Sequence, residues 1–384
     1  VVYNPLSWEY VQGIRVPVAT GKYAITDPHG NPVQSQLLQL SRAAELAWSS
    51  SKEAQEDGSK PTAELALLVS APAFGHAVYK VVRVQDHATD SAGTAFSFKQ
   101  MPQQHVSAAT AFEKVSQSAS LTLTNNKLKV EAGPEGVRSV EANGHQMLYS
   151  SHLIKYQGSH KGAGAYIFTA QEQPQMPAPT EVVITKGPVL QEVQQYYQDL
   201  GVLTTRMWAG QPYLEVEWTV GPPPSVRTGW EVFVRYNSSI ASDGVWFTDA
   251  NGREYQQRKR QYRPSFRLPS GAAELAGNIF PITTGCRIQD AQLQMRIAVD
   301  HAHGVVSPTD GQLDIHLHRT TAGDDRKGMA EPLFDHHVAG GTHVVSFGAA
   351  NLPDAAAAHH VWRHFEQVRL KHHVATETCM KAHV

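Results

Sequence analysis

The sequence predicts an all-β chain: a small β-sandwich, then a large antiparallel β-sandwich of the supersandwich kind, then a C-terminal helix. Three observations carry that reading. Apolar and polar residues alternate with period two in several stretches, the spacing of a strand with one face in a core. Clusters of Gly, Pro, Asn and Asp punctuate those stretches at short intervals. The hydrophobic share of 41% and charged share of 18% suit a packed globular chain.

Residues 1–86 read as a small β domain that closes with the strand-like Ala77–Val84. Residues 87–118 are rich in Ser, Thr, Ala and Gln without periodicity, and read as a linker. Residues 119–350 exceed an immunoglobulin-type domain of about 100 residues, so a larger two-sheet sandwich is required. Its clearest strand is Tyr213–Val220, where Leu214, Val216, Trp218 and Val220 share one face and Glu215, Glu217 and Thr219 the other. The pattern returns at Leu293, Met295, Ile297 and Val299, and at Leu313, Ile315 and Leu317. Turns are predicted at Asp27-Pro28-His29-Gly30, Gly133-Pro134-Glu135-Gly136, Ala142-Asn143-Gly144 and Asp249-Ala250-Asn251-Gly252. In residues 351–384, Asp354 suits an N-cap and Ala355–Val374 a helix, followed by a tail.

The charge balance excludes some partners. The formal net charge is -2, and no basic stripe marks nucleic acid. The densest cationic run, Arg253 to Arg267, is interrupted by Glu254, Tyr255, Tyr262 and Phe266, and reads as a solvated strand pair. No apolar run approaches the roughly 18–20 residues of a membrane span, so no membrane partner is expected. The chain opens on Val1 and stops at Val384, and a fragment of something larger is expected at both ends. Cys286 and Cys379 read as reduced or buried thiols in preference to a bridge. Asn237-Ser238-Ser239 is a glycosylation sequon, placed between strand-like segments.

Chemistry-bearing clusters are sparse. Histidines number 20 and pair at His301/His303, His316/His318, His336/His337, His359/His360 and His372/His373. His316 and His318 stand two apart on a strand and so offer half of a metal site, but no carboxylate or Cys at fixed spacing completes it. No bound metal is expected. Asp324-Asp325 is the obvious acid pair, yet Arg319, Arg326 and Lys327 beside it point to a structural role. There is no GxSxG elbow, phosphate-binding Gly loop, HExxH or GxGxxG beside a strand. From the residues alone, this is a β protein with no self-contained active site.

A family resemblance emerges from motifs in a fixed order. They begin with Val2-Tyr3-Asn4-Pro5-Leu6-Ser7-Trp8-Glu9, Pro72-Ala73-Phe74-Gly75 with Tyr79, and Gly164-Ala165-Tyr166-Ile167-Phe168. Next come Leu214-Glu215-Val216-Glu217-Trp218-Thr219-Val220-Gly221-Pro222, Phe247-Thr248-Asp249, and Asn251-Gly252-Arg253-Glu254. Tyr262-Arg263-Pro264-Ser265-Phe266, Ala276-Gly277-Asn278 with Pro281, His318-Arg319, Asp324-Asp325 and Glu331-Pro332-Leu333 follow. In that order they resemble the β region of class II α-mannosidases, glycoside hydrolase family 38, in its lysosomal branch.

The resemblance implies several things beyond the residues. It implies a C-terminal part of a retaining exo-α-mannosidase, acting on mannose-containing oligosaccharides such as N-glycans and located in the lysosome. The nucleophile, the acid/base and the zinc ion of such an enzyme belong to an N-terminal catalytic barrel, so the fragment alone is expected to be inactive and to need that part as its partner; a homo-oligomer stays open. It implies that Tyr166 and Arg319 reach the substrate pocket. Thr320, where relatives often carry a second Arg, and Arg326-Lys327 depart from the family pattern. Two other readings are a free-standing carbohydrate-binding module, with Trp208, Trp230 and Trp246 as platforms, and a non-catalytic structural subunit.

Overall fold

The structure is a computed structural model. It describes residues 1–42, 44–45, 49, 60–84, 111–114, 120–158, 163–166, 168–170, 173–223, 229–265, 267–268, 274–321, 323–329 and 331–351. The helix expected after Asp354 and the residue Cys379 lie outside the described residues, as does most of the expected linker. Contacts divide the chain into two compact units.

The first unit holds seven strands: β1 (Val2–Asn4), β2 (Tyr10–Val18), β3 (Lys22–Thr26), β4 (Ser35–Gln39), β5 (Ala63–Ala71), β6 (Gly75–Ala77) and β7 (Lys80–Val84). They form a three-stranded sheet, β2-β5-β4, and two antiparallel pairs, β1-β6 and β3-β7. Val2, Ile14, Tyr23, Ile25, Leu65, Leu67 and Val69 make its core. The single strand expected at Ala77–Val84 is two strands, broken at Val78-Tyr79, where the Tyr79 hydroxyl accepts the Ser70 amide at 2.8 Å. The Asn4 amide donates to the carbonyls of Trp8, Ala71 and Pro72, so the opening Asn-Pro motif ties β1 to the end of β5.

The second unit carries β8 (Ala111–Lys114), β9 (Leu121–Thr124), β10 (Leu128–Gly133), β11 (Gly136–Ala142), β12 (His145–Gln157), β13 (Glu181–Lys186), β14 (Leu190–Tyr197), β15 (Gly201–Trp208) and β16 (Tyr213–Val220). It continues with β17 (Trp230–Ser238), β18 (Val245–Asp249), β19 (Tyr255–Lys259), β20 (Phe280–Ile282), β21 (Gly285–Gln289), β22 (Leu293–Val299), β23 (His303–Val306), β24 (Gln312–Thr320) and β25 (Ala339–Ala349). An eight-stranded sheet runs β20-β23-β24-β17-β12-β11-β10-β9. A ten-stranded sheet runs β19-β18-β21-β22-β25-β16-β15-β14-β13-β8. The chain is thus all-β, with a large antiparallel two-sheet body, and β8 forms inside the stretch that lacks sequence periodicity.

The larger core of this unit draws on both sheets. Leu153, Val232, Val234 and Ile315 from the eight-stranded sheet join Leu203, Val216, Ile297 and Val345 from the ten-stranded one. Each such side chain contributes about 1.5–3 kcal/mol when fully withdrawn from water. The alternation read at β16 places Leu214, Val216, Trp218 and Val220 in this core. Its opposite face is covered as well. Glu215 is buried and Glu217 nearly so, because Arg206 of β15 reaches Glu192, Glu215 and Glu217 at 2.8, 3.1 and 2.9 Å. The turns hold as predicted: Asn143 and Gly144 both take positive φ, 52° and 78°, which closes β11 onto β12. The cationic run becomes the edge strand β19 and its exit. Arg263 lies 3.8 Å over the Phe280 ring and Arg260 pairs with Asp310 at 2.8 Å. Charge along an edge discourages pairing with another chain.

Candidate functional site

The site grows from the pairing of β17 with β24. Phe233 stands opposite His316, Val232 opposite His318 and Glu231 opposite Arg319. The register shifts between Val232 and Phe233, so Leu317 is an extra residue on β24. Plain alternation puts Arg319 on the face of Leu313, Ile315 and Leu317, which is the core face. The bulge reverses that parity beyond Leu317, and Arg319 joins His316 on the opposite face, beside Glu231 and Phe233.

Glu231 is the anchor, with a side chain 0% exposed. Arg319 closes on its Oε1 through Nε at 3.1 Å and Nη2 at 2.7 Å. His316 Nε2 comes to 2.9 Å from Glu231 Oε2, without hydrogen-bond geometry. The His316 ring stacks on Phe233 with centroids 4.5 Å apart. His318 turns elsewhere: its ring meets Trp230 edge-on, and Nε2 lies 3.2 Å from the His337 carbonyl. Burial lowers the His318 pKa against the opposing pull of that carbonyl. The two histidines read as half a metal site therefore have separate partners.

Tyr166 reaches the same place from the loop after β12. Arg319 Nη1 lies 3.4 Å from the Ala165 carbonyl, and the Tyr166 amide donates to Asp325 Oδ2 at 2.6 Å. A Cβ on Gly164 would fall 2.4 Å from the Asp325 side chain, so only glycine allows the loop to lie this close. Asp324 and Asp325 also accept the amides of Arg326 and Lys327, as capping residues of their own turn. The Tyr166 ring projects, with the residue 65% exposed. The fold thus brings the two expected pocket residues together, with Arg319 against the backbone that carries Tyr166. Sequence reading missed Glu231. Its signal was slight: one acidic residue in the otherwise apolar run Trp230–Val234.

Other expected residues fall differently. Asn237 lies in β17 itself, between Ser150 and Gln312 on the flanking strands, and its amide donates to Ser150 Oγ at 3.0 Å. Trp208, Trp230 and Trp246 are all buried in the core or at its margin, so none is a surface platform for sugar. Cys286 is a free, buried thiol whose pKa burial pushes up. Among the described residues, no helix is long and apolar enough to cross a membrane.

A cavity of about 660 Å³ opens beside Tyr156, Arg235, Glu274 and Gln312, and neither Tyr166 nor Arg319 lines it. At its wall Arg235 grips Asp314 through Nε and Nη2, at 2.8 and 2.7 Å. Burial raises the Asp314 pKa and the guanidinium opposes it. This pair is already neutralised, whereas the Tyr166 loop is an open edge with an exposed phenol.

The comparisons agree with this architecture. The model for the glycosyl hydrolases family 38 C-terminal domain matches residues 123–327. Lysosomal alpha-mannosidase of Homo sapiens is 30% identical over 376 residues, covering 94% of this chain and 34% of that protein. An alpha-mannosidase of Canavalia ensiformis is 28% identical over 344 residues, covering 87% of this chain and 34% of its own length. The chain spans about a third of the length of these curated relatives. A crystal structure of an alpha-mannosidase from Enterococcus faecalis shares the fold, with a TM-score of 0.55 at 12% identity, covering 95% of this chain and 44% of that one. With more than half of its residues matched by the family's C-terminal domain, the chain belongs to glycosyl hydrolase family 38.

Proposed function

We propose that this chain is the C-terminal part of a lysosomal-type exo-α-mannosidase that removes terminal α-mannose from N-glycan oligosaccharides with retention. The barrel that carries nucleophile, acid/base and zinc is a separate N-terminal part, and this chain completes the pocket. The observation that supports the reading is the clamp of Arg319 between buried Glu231 and the Ala165 carbonyl, which presents Tyr166.

In this reading the two residues have different tasks. The Tyr166 phenol offers one donor and one acceptor to a sugar hydroxyl, and its ring walls the pocket. Arg319 spends Nε and Nη2 on Glu231 and turns Nη1 to the loop, so it positions Tyr166 and lends charge to the pocket edge. Zinc, held by barrel residues, supplies a Lewis acid for sugar hydroxyls. No residue of the Glu231 cluster is a candidate ligand for it, because Arg319 and His316 already face that carboxylate.

The test is reconstitution. The 384-residue chain is assayed on an aryl α-mannoside alone and with its N-terminal part. Turnover is expected only with the partner. Zinc-dependent turnover by the chain alone, in a preparation free of other mannosidases, would overturn the reading.

A further inference from the structure

A second cluster of metal-binding side chains lies at the turn from β22 into β23. Asp300, His301 and His303 each offer a ligand atom, and these atoms all lie within 4.8 Å of one another. Among the described residues no other group of three His, Cys, Asp or Glu side chains is so placed. The His301 and His303 rings stand 4.2 Å apart between centroids.

The buried member of the trio is the informative one. His303 is 8% exposed, and its Nδ1 lies 2.7 Å from the His316 carbonyl. A carbonyl only accepts, so Nδ1 carries the proton and Nε2 carries a lone pair. That Nε2 is buried and has no hydrogen-bond partner. A buried acceptor without a donor costs about 1–3 kcal/mol unless something satisfies it. An imidazole whose one nitrogen donates to a backbone carbonyl while the other is free is the arrangement that metal-bound histidines take.

Its two neighbours are set in the same manner. His301 Nδ1 lies 2.8 Å from Asp300 Oδ1, and Asp300 Oδ2 accepts the Thr342 amide at 2.8 Å. The carboxylate is thus fixed to the start of β25, and it in turn fixes the His301 ring. Around them, His343 accepts from the Trp218 indole at 3.2 Å and meets the Tyr236 hydroxyl at 2.8 Å. His343 is therefore engaged at both nitrogens and supplies no ligand, whereas His303 is engaged at one.

We propose that Asp300, His301 and His303 form a site for one divalent ion of the zinc class. Two imidazoles and a carboxylate suit zinc, cobalt or nickel and are too nitrogen-rich for calcium or magnesium. Bonds of about 2.0–2.2 Å require the donors to draw in by roughly an ångström, which His301 can do because its side chain is half exposed. Three protein ligands leave a coordination position for water. The ion clips the β22–β23 turn to the start of β25, through Asp300. The site departs from the expectation that this chain binds no metal. Its sequence signal is Asp300-His301-Ala302-His303, a carboxylate next to a histidine pair.

The test uses the 384-residue chain stripped with a chelator and titrated with Co²⁺ and with Zn²⁺. Saturable uptake of one ion per chain is expected, with visible Co²⁺ ligand-field bands of a low-coordinate site and a higher Tm when Zn²⁺ is present. His301→Ala and His303→Gln should each weaken uptake at least about 100-fold, and Asp300→Asn roughly 10–100-fold. His145→Ala, at an exposed histidine elsewhere, should change nothing. His301 is exposed enough that its variant keeps the fold, which a melt without metal verifies. The proposal fails if uptake is not saturable at one ion, or if folded His301→Ala binds as the parent does.

Discussion

Glu231 and Arg319 face each other across the β17–β24 ladder, and two guanidinium nitrogens close on one oxygen of a carboxylate that water does not reach. Arg319→Ala leaves that charge buried with only the His316 ring beside it. Breaking a buried pair costs about 3–5 kcal/mol, and the 21% exposure of the Arg319 side chain moderates this to about 2–4 kcal/mol. Urea denaturation should show it, and Arg319→Ala combined with Glu231→Gln should recover part of the loss. If the single variant is as stable as the parent, the pair does not hold this corner of the sheet.

Tyr166→Phe should act on turnover and leave the fold alone, because the ring is exposed and the loop is held by backbone contacts. In the reconstituted enzyme the lost hydrogen bond is worth about 1–1.5 kcal/mol, roughly tenfold in kcat/KM. Arg319→Lys should also reduce kcat/KM, since one ammonium cannot span both Glu231 and the loop. Normal kinetics in both variants, with unchanged melts, would remove these residues from the pocket.

Gly164→Ala tests the approach of the loop to Asp325. A methyl group there collides with the Asp325 backbone and side chain at 2.4–2.6 Å, so the loop must lift. Activity should fall at least as far as in Tyr166→Phe, with a loss of stability of about 1–3 kcal/mol, because Gly164 is buried and meets Asp325 at its backbone as well as its side chain. Full activity would mean that the loop position does not matter.

Arg206 is wholly buried among Glu192, Glu215 and Glu217, and Glu215 also accepts the Trp208 indole. Arg206→Met should leave the acids repelling one another inside the protein, at a cost of about 3–5 kcal/mol or failure to fold. Arg206→Lys should recover little, since an ammonium cannot reach three carboxylates as a planar fork does. Soluble expression and denaturant midpoints are the readouts.

Asp249 gives a pH dependence with a definite sign. Burial raises its pKa, but the Thr283 side chain and the amides of Gly252, Thr284 and Gly285 outweigh this, and the net value falls below 3.8. A carboxyl depressed by folding adds stability that is complete above its unfolded value and is lost as pH falls through the folded one. Asp249→Asn should therefore cost about 1–3 kcal/mol near neutral pH. The gap from the parent should narrow below about pH 4, where the parent's carboxyl also protonates. Denaturant melts across that range decide; a gap that stays constant with pH would refute the assignment.

How much of this was legible in the sequence depends on range. Leu214, Val216, Trp218 and Val220 declared a strand because alternation is local, and they all reach the core. Asn143-Gly144 declared its turn because positive φ is a property of those residues. The cover over the other face of β16 was not legible, since nothing near Glu215 in sequence shows that Arg206 from the next strand reaches it. Glu231 stayed hidden for the same reason, its partner lying 88 residues away. Arg319 was placed near Tyr166 through family likeness, and parity alone would have turned it into the core.

The extra residue at Leu317 has a wider meaning for how such a surface can change. Before it, β24 obeys the core, and each substitution at Leu313 or Ile315 must fit a packed interior. After it, Arg319 answers to Glu231 and the Ala165 carbonyl, while His318 and Thr320 stand opposite Val232 and Trp230 of the core. One slipped residue therefore lets a strand built for the interior turn a single guanidinium to its other face.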